Sequence, residues 1–199
     1  MASIIFDLDG TLADTGGDLV AAGNACFKSI GAGDVLDAQQ DGATAMLYGA
    51  KAMMRLGFER LGHTNYEAEV ECLFPLFLAS YHENINVYTK LYEGVPKALN
   101  QLAFEGHRLG ICTNKPFYLA DMLLHVLGIR SAFSILIGAG SLPVNKPDPA
   151  PLLAAIAGMG GAPGQSLLVG DSPTDRHTSQ AAGVKSVLVT FGPTGRDVE

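Results

Sequence analysis

Short apolar runs alternate with helical patterns along much of the 199-residue sequence, and this alternation constrains the fold more than any other feature. Such runs predict buried strands, and strands that alternate with helices of about ten residues predict a parallel sheet in an α/β protein. The apolar runs lie at residues 3–7, 108–112, 134–138, 166–169 and 186–189. The helical patterns cover residues 96–104, 117–127, 149–157 and 175–182.

Residues 16–84 interrupt this rhythm, because they contain helical patterns and no convincing strand. Thr64 and Glu67 have the spacing of a capping box at the start of the last helix in this segment. We therefore predict a helical insertion after the first strand. The expected helices cover 18–30, 38–56 and a stretch that begins near residue 65. The expected domains are a core formed by 1–14 with 88–199 and an insertion formed by 15–87.

The overall charge bears on the class of partner. The formal net charge is −7 and the isoelectric point is about 5.1. A nucleic-acid-binding protein needs a basic face, so we expect no nucleic-acid partner. An anionic small molecule would have to be attracted by local positive charge, because the overall field repels it.

The cysteines indicate a reducing compartment, and the hydropathy pattern predicts neither a signal peptide nor a membrane span. Cys26, Cys72 and Cys112 are far apart and show no CxxC spacing, as expected for free thiols. Residues 1–7 have neither the cationic start nor the apolar length of a signal peptide. No run of about 18 residues lacks Gly, Pro and charge. We expect a cytoplasmic monomer or homodimer with no membrane partner.

The clearest candidates for chemistry are Asp7 and Asp9, which directly follow the first predicted strand. Ligands of parallel sheets bind beyond the carboxyl ends of the strands, so both carboxylates can share one site. A carboxylate such as Asp7 can act as a nucleophile toward phosphate when Mg²⁺ screens its charge. Asp9 can exchange a proton with the leaving oxygen and with water. A solvated acidic turn would give the same pattern.

Thr113 and Asn114 follow the predicted strand at 108–112 and precede a helix. A hydroxyl, an amide and the N–H groups of a helix N-terminus suit a phosphate oxygen. A plain helix N-cap is the alternative, since Thr and Asn are common in that position.

Lys146 lies in a Pro-rich segment before the helical pattern at 149–157. Clustered acids and a dianionic substrate require a cation, and Lys146 could bridge Asp7 and a phosphate as a compact charge. A surface charge near a helix start is the alternative interpretation.

Asp171 and Asp175 lie at the turn between the strand at 166–169 and the next helix. Their oxygens are suitable ligands for a hard cation such as Mg²⁺. Either acid alone could instead complement the helix dipole. However, all four polar clusters follow predicted strands whose carboxyl ends meet at one edge of the sheet, and this favours a joint site.

Lys51 and Arg55 lie one helical turn apart in the insertion. They could meet an anionic substrate, but a solvated helix face is the simpler interpretation.

These clusters resemble the motifs of the haloacid dehalogenase-like (HAD) hydrolase superfamily, and most closely its phosphoglycolate-phosphatase-like branch. The resemblance covers essentially the whole chain, and it implies a Rossmann-like parallel-sheet core with an α-helical cap inserted after the first strand. The matching segments are 7–12, 113–115, 146–147 and 170–175, with support from 92–95, 127–129 and 181–183.

The resemblance also implies a role for each matching residue. Asp7 would be the nucleophile and a Mg²⁺ ligand, and Asp9 would be the general acid/base with its backbone carbonyl on Mg²⁺. Asp175 would bind the metal directly or through an intermediate group. The remaining roles are phosphate binding by Gly10, Thr113 and Asn114, stabilisation of the nucleophile by Lys146, and metal binding by Asp171.

The details of the match bear on the type of reaction. Dehalogenases of this superfamily lack the second acid, so Asp9 resembles the phosphatase and mutase branches. Residues 47–51 keep one glycine where phosphoglycolate phosphatases tend to have a Gly-x-Gly turn, and this leaves the substrate open. Arg176, Thr178 and Ser179 replace the usual apolar or alanine residues.

Three functions are compatible with this pattern. The first is a Mg²⁺-dependent phosphatase for a small phosphorylated metabolite such as phosphoglycolate, acting through an aspartyl-phosphate. The second is a phosphosugar mutase of the β-phosphoglucomutase type, in which a sugar bisphosphate phosphorylates Asp7. A non-catalytic binding protein is disfavoured, because every catalytic position of the motifs is filled.

Overall fold

The computed structural model describes residues 2–195, and Met1 and residues 196–199 of the expected core domain lie outside that range. Within it, a parallel sheet of five strands has the order β5-β4-β1-β6-β7, and β2 and β3 form a separate pair. All five predicted strands belong to the large sheet, which confirms the α/β class. In chain order the strands are β1 (Ser3–Phe6), β2 (Ala13–Asp14), β3 (Lys90–Leu91), β4 (Arg108–Pro116), β5 (Ile135–Ala139), β6 (Ser166–Gly170) and β7 (Lys185–Leu188).

The central strand β1 sets the alignment of the sheet. Ser3 lies beside Arg108 of β4 and beside Ser166 of β6, so the three strands begin together and run in the same direction. All four residues of β1 are buried. A strand that is covered on both faces needs apolar side chains in both directions, which explains why its apolar run is continuous.

Helices follow the strands and cover both faces of the sheet. On one face, Ile5 packs with Leu152 and Ile156, and on the other Phe6 contacts Phe133 with ring centroids 6.2 Å apart. Burying one such side chain contributes about 1.5–3 kcal/mol. The helices are α1 (Gly16–Ser29), α2 (Ala38–Tyr48), α3 (Ala50–Arg60), α4 (Glu67–Glu83), α5 (Val95–Phe104), α6 (Phe117–Val126), α7 (Ala150–Gly158) and α8 (Pro173–Ala181). Within residues 2–195, no helix is both long enough and apolar enough to cross a membrane.

The described residues divide into two compact units. The first unit contains the large sheet and consists of residues 2–14 and 91–195, whereas the second is Thr15–Lys90 and contains α1–α4. In the second unit, Phe27 and Phe58 pack edge to face with centroids 5.2 Å apart, and Met53 is fully buried. This unit therefore has a hydrophobic core of its own.

The single helix predicted at 38–56 is wrong, because Gly49 divides it into α2 and α3. Gly49 has a φ of +84°, a conformation that cannot continue a right-handed helix and that glycine adopts most easily. Its N–H donates to the carbonyl of Ala45 at 3.0 Å and closes α2. Gly49 is thus a helix terminator, although the helical pattern continues beyond it.

The capping box predicted for α4 is also wrong. The helix begins at Glu67, and in the described structure its N-cap residue, Tyr66, makes no side-chain capping bond. Glu67 pairs instead with Arg55 of α3, whose Nε lies 2.7 Å from Oε1. This pairing directs the carboxylate toward a neighbouring helix and away from the start of its own.

Candidate active site

The structure brings the four predicted clusters together at one edge of the first unit. Asp7 follows β1, Asp171 follows β6, and Thr113 lies near the end of β4. Lys146 lies in the loop between β5 and α7, and its Nζ is 3.0 Å from Oδ2 of Asp7. The predicted convergence is therefore present in the fold, because the strand ends that carry these residues are neighbours.

Three carboxylates form the centre of this edge. Oxygens of Asp7, Asp171 and Asp175 lie within 4.8 Å of one another. Asp171 is 1% exposed and Asp175 is fully buried. A solvated acidic turn, which was the alternative interpretation of Asp7, does not describe this arrangement, because the Asp7 side chain is only 14% exposed.

Lys146 is the ammonium group that faces these carboxylates. Its Nζ lies 2.6 Å from Oδ1 of Asp175 and 3.0 Å from Oδ2 of Asp7, and the residue is 5% exposed. Burial alone would lower the pKa of Lys146, but the charges of Asp175 and Asp7 outweigh it and hold the pKa well above its usual value. Lys146 is therefore a buried, charged group and not the surface charge of the alternative interpretation.

The carboxylates carry more negative charge than Lys146 compensates. Burial raises the pKa of Asp7 to about 6 even though Lys146 opposes the shift. Burial, followed by the charge of Asp7, raises the pKa of Asp171 to about 8. A further cation would relieve this repulsion, and a cluster of oxygen donors is the set that hard divalent metals prefer. The residues present thus fit a divalent metal.

Asp175 links the edge that carries Asp7 and Asp171 to the start of α8. Its Oδ2 accepts from the N–H of Ser172 at 3.2 Å and Oγ of Ser172 accepts from the N–H of Asp175 at 3.3 Å, which together form a capping box. Oδ2 also accepts from the Ser172 hydroxyl at 2.6 Å, while Oδ1 pairs with Lys146. Gly170 makes this possible, because a Cβ at that position would collide with the Asp175 carboxylate. Asp175 therefore lies at the start of α8, as the helix-start interpretation expects, and also beside Asp7 and Asp171.

Asp9 pairs with a residue whose importance sequence reasoning missed, Lys115. Nζ of Lys115 lies 2.8 and 3.1 Å from the two carboxylate oxygens of Asp9, and Lys115 is 7% exposed. Strand β4 continues through Pro116, so Lys115 and Thr113 lie on the same side of the strand. Side chains alternate between the two faces of a strand, so a predicted strand that extended beyond residue 112 would have placed Lys115 on the same face as Thr113.

Thr113 and Asn114 are not helix caps, because Pro116 occupies the N-cap position of α6. The Asn114 side chain bonds the backbone of Lys146 twice, with Nδ2 donating to the carbonyl at 2.9 Å and Oδ1 accepting from the N–H at 2.9 Å. The Thr113 hydroxyl oxygen accepts from the N–H of Lys115 at 3.2 Å. Asn114 therefore fixes the loop that carries Lys146.

Gly10 lies in the tight turn after Asp9. Its φ is +79°, its N–H donates to the carbonyl of Ala13 at 2.9 Å, and a Cβ here would collide with the Asp171 carboxylate. The neighbouring Thr11 hydroxyl donates to Oδ1 of Asp171 at 2.6 Å. The close approach of the turn to Asp171 accounts for the glycine.

Two of the three departures in α8 make hydrogen bonds within the helix, whereas Nη1 of Arg176 donates to the Ser186 hydroxyl of β7 at 3.2 Å. The buried Thr178 hydroxyl donates to the carbonyl of Thr174 at 2.7 Å, and the buried Ser179 hydroxyl donates to that of Arg176 at 2.8 Å. Both polar side chains are thus satisfied within their own helix.

Lys51 and Arg55 make ion pairs on the surface of the second unit. Lys51 lies 2.6 Å from Glu71, and Arg55 lies 2.7 Å from Glu67. Because both glutamates are more than half exposed, this face agrees with the solvated-helix interpretation.

The fold and the site agree with comparisons with known proteins. A phosphoglycolate phosphatase from Xanthomonas campestris pv. campestris (strain 8004) is 36% identical over 190 residues, which cover 96% of this chain and 83% of the relative. A phosphoglycolate phosphatase from Mesorhizobium japonicum is 35% identical over 196 residues, covering 98% and 85%. The crystal structure of a predicted phosphoglycolate phosphatase from Haemophilus somnus 129pt superimposes with a TM-score of 0.86 at 30% identity, covering 96% and 86%.

The family model of haloacid dehalogenase-like hydrolases matches residues 4–189, which is most of the chain. Apart from Ser3 of β1, the match includes the strands of the large sheet, and it includes Asp7, Asp171 and Asp175. The chain therefore belongs to the haloacid dehalogenase-like hydrolase family, in its phosphoglycolate-phosphatase-like branch.

Proposed function

We propose that this protein is a Mg²⁺-dependent phosphatase that hydrolyses a small phosphate monoester through an aspartyl-phosphate on Asp7. Membership of the branch identifies the chain as a phosphoric monoester hydrolase. The observation that carries the proposal is the convergence of Asp7, Asp171 and Lys146 at one buried edge. This arrangement combines a nucleophile, oxygen donors for a metal and a cation for an anionic substrate.

The proposed metal ligands are the carboxylates of Asp7 and Asp171 and the backbone carbonyl of Asp9. Both oxygens of Asp175 are hydrogen-bonded within the protein, so we expect this residue to contribute charge and orientation more than a direct bond. Held by these residues, Mg²⁺ would screen the charge of Asp7 from the phosphate and would stabilise the negative charge of the transferring phosphoryl group.

Asp7 is the proposed nucleophile. The N–H of Leu8 donates to Oδ1 of Asp7 at 2.7 Å, and Lys146 holds Oδ2 at 3.0 Å, so the carboxylate has a fixed orientation. An oxygen of Asp7 attacks phosphorus, and the bond between phosphorus and the ester oxygen breaks. Water then attacks the phosphorus of the aspartyl-phosphate, which releases inorganic phosphate and regenerates Asp7.

Asp9 is the proposed proton carrier for both halves of the reaction. It donates a proton to the ester oxygen as that oxygen leaves, and it accepts a proton from the attacking water in the second step. Nζ of Lys115 contacts both carboxylate oxygens of Asp9 and so fixes the orientation of that carboxylate.

Thr113, Asn114 and Gly10 are the proposed phosphate-binding residues. Thr113 is buried close to the end of β4, where its hydroxyl can donate to a phosphate oxygen. The side-chain amide of Asn114 and the N–H of Gly10 both have partners within the protein. For these two residues we therefore expect a contribution to the shape of the phosphate site more than a direct bond.

The helical unit Thr15–Lys90 is the proposed cap, and phosphoglycolate is the first substrate to test. Support for the substrate comes from the phosphoglycolate phosphatases that resemble this chain over nearly its whole length. The two buried lysines of the proposed site, Lys115 and Lys146, favour an anionic substrate.

A panel of phosphorylated metabolites assayed with Mg²⁺ separates hydrolysis from group transfer. We expect release of inorganic phosphate, with phosphoglycolate among the best substrates. Isomerisation of β-glucose 1-phosphate in the presence of the bisphosphate, without phosphate release, would instead identify the mutase. p-Nitrophenyl phosphate left intact at every Mg²⁺ concentration would argue for a binding protein.

Asp7→Asn tests the nucleophile directly. The amide is nearly isosteric with the carboxylate but a far weaker nucleophile, so we expect turnover to become undetectable while the folded state is retained. Asp34→Asn is the matched control, because Asp34 is exposed and pairs with the equally exposed Lys28. Turnover by the Asp7 variant at the rate of this control would contradict the nucleophile assignment.

A further inference from the structure

The segment that follows β7, residues 189–195, returns to the carboxylate edge, and we call it the closing segment. It begins with the N–H of Val189 donating to the carbonyl of Gly170 at 2.8 Å, which continues the pairing with β6 up to the residue before Asp171. It ends in a turn, in which the N–H of Gly195 donates to the carbonyl of Gly192 at 3.0 Å. The segment thus runs directly beside Asp171.

Asp171 is held by two threonine hydroxyls from distant parts of the sequence. The hydroxyl of Thr194, in the closing segment, donates to the backbone carbonyl of Asp171 at 2.6 Å. The hydroxyl of Thr11 donates to its carboxylate oxygen Oδ1, also at 2.6 Å. Thr11 orients the side chain, whereas Thr194 fixes the backbone from which that side chain projects.

The closing segment packs closely against Asp171 and against the turn that contains Gly10. A Cβ on Gly192 would lie 2.5 Å from the carbonyl oxygen of Gly10 and 2.9 Å from Cβ of Asp171. A Cβ on Gly10 would in turn lie 2.9 Å from Cδ of Pro193. The contact therefore depends on glycine on both sides.

An aromatic contact anchors the start of the closing segment. The rings of Phe191 and Tyr92 lie 4.9 Å apart at an angle of 51°, within the range of favourable aromatic pairs. Tyr92 is itself tied to the β1 end of the unit, because its N–H donates to the carbonyl of Leu12 at 3.1 Å. The closing segment is thus fixed at Phe191 and again at Thr194.

We propose that the closing segment is a part of the metal site and that Thr194 is a positioning residue for Asp171. This inference rests on the proposed function, since it assumes that Asp171 binds Mg²⁺. Asp171 lies just beyond the last residue of β6, where the strand no longer holds it in the sheet. Residues that orient metal ligands contribute strongly to metal affinity, and Thr194 acts on Asp171 in this way.

The experiment compares Thr194→Val with Thr194→Ser. Valine keeps the shape but loses the hydroxyl, whereas serine keeps the hydroxyl. Mg²⁺ affinity is measured by titration calorimetry without substrate, together with the Mg²⁺ dependence of phosphate release. We expect the valine variant to bind Mg²⁺ about tenfold more weakly than wild type, which is the lower end of the affinity losses known for residues that orient metal ligands. The serine variant should bind Mg²⁺ with close to wild-type affinity. The Mg²⁺ concentration that gives half-maximal phosphate release should rise in the valine variant and stay near the wild-type value in the serine variant.

Ser166→Ala is the control for the loss of a buried hydroxyl in the same unit. Ser166 begins β6, at the opposite end from Asp171, and its hydroxyl donates to the carbonyl of Ala162 at 2.8 Å. We expect this variant to keep wild-type Mg²⁺ affinity.

The possible failures are distinguishable. If wild type binds Mg²⁺ and Thr194→Val binds it equally well, the closing segment has no role in the metal site. The inference is equally overturned if the serine variant or Ser166→Ala loses as much affinity as the valine variant. Absence of Mg²⁺ binding by wild type would contradict the proposed function as well as the inference drawn from it.

Discussion

The two compact units contain ion pairs of nearly equal length in opposite environments. Lys146 lies 2.6 Å from Asp175, and Lys51 lies 2.6 Å from Glu71. The first pair has side-chain exposures of 2% and 0%, and the second has 34% and 61%. Distance is therefore the same in both pairs, and burial is what differs.

This difference determines what each pair can do. In water, attraction between charges is weak and the side chains lose entropy when they pair, so exposed pairs contribute little. A buried charge must be paired, because its loss of hydration is costly. The Lys146 network is thus an obligatory arrangement that fixes charge at the proposed site, whereas the Lys51 pair is an optional surface contact.

The largest effect on stability is expected for Lys146→Met. Removing the Lys146 ammonium group leaves Asp7 and Asp175 buried without a cationic partner. This should lower the free energy of unfolding by about 3 kcal/mol or more. Turnover should fall at least about a hundredfold, because a cation that stabilises the transferring phosphoryl group is lost. Denaturant unfolding without metal and phosphate release with saturating Mg²⁺ measure the two effects.

Lys51→Met is the matched control for this prediction. It also removes an ammonium group that lies 2.6 Å from its carboxylate partner, but from the exposed pair. Stability and turnover of Lys146→Met close to those of Lys51→Met would show that burial does not separate the two networks.

The meeting of the acidic clusters could be predicted from the sequence, because it follows from a general property of parallel sheets. Each cluster follows an apolar run, and parallel strands place their carboxyl ends at one edge. Asp7 and Asp171 could thus be assigned to one place from their positions in the pattern alone. The α/β class followed from the same observation.

The partners of these residues could not be predicted from the pattern, because they depend on contacts between distant parts of the chain. Thr11 and Asp171 are 160 positions apart, and Lys115 and Asp9 are 106 apart. Periodicity describes only the spacing within one element. Periodicity also missed the break at Gly49, because that break depends on local backbone conformation and not on hydrophobicity.

An intermediate effect is expected for Asp41→Asn in the second unit. Asp41 is buried, and its oxygens receive two bonds from Arg60 at 2.5 and 2.6 Å, but the Arg60 side chain is 36% exposed. Because solvent screens one partner, we expect a loss of about 2 kcal/mol, below the range for a fully buried pair. Denaturant unfolding of the variant measures this loss, and Asp34→Asn serves again as the exposed control.

The pH dependence of stability checks the same pair. Burial alone would raise the pKa of Asp41, but bonds from Arg60 and from the N–H of Asp37 reverse the direction and lower it. A carboxyl with a lowered pKa in the folded state stabilises the protein above its unfolded pKa, and this contribution is lost as the pH falls through the folded pKa. The stability difference between wild type and Asp41→Asn should therefore shrink in acid, and a difference that grows would contradict the assignment.

The smallest effect is expected for the pair of Lys51 and Glu71, and a double-mutant cycle is needed to measure it. Lys51 also lies 4.6 Å above the ring of Phe74, so Lys51→Met alone removes more than the ion pair. Combining it with Glu71→Gln isolates the coupling, which we expect to be about 0.5 kcal/mol and to decrease with salt. A coupling as large as the loss in Asp41→Asn would show that exposure is not the controlling variable. If Lys51→Met raised the KM for phosphoglycolate without changing stability, Lys51 would belong to substrate recognition, as the alternative interpretation of this helix face proposes.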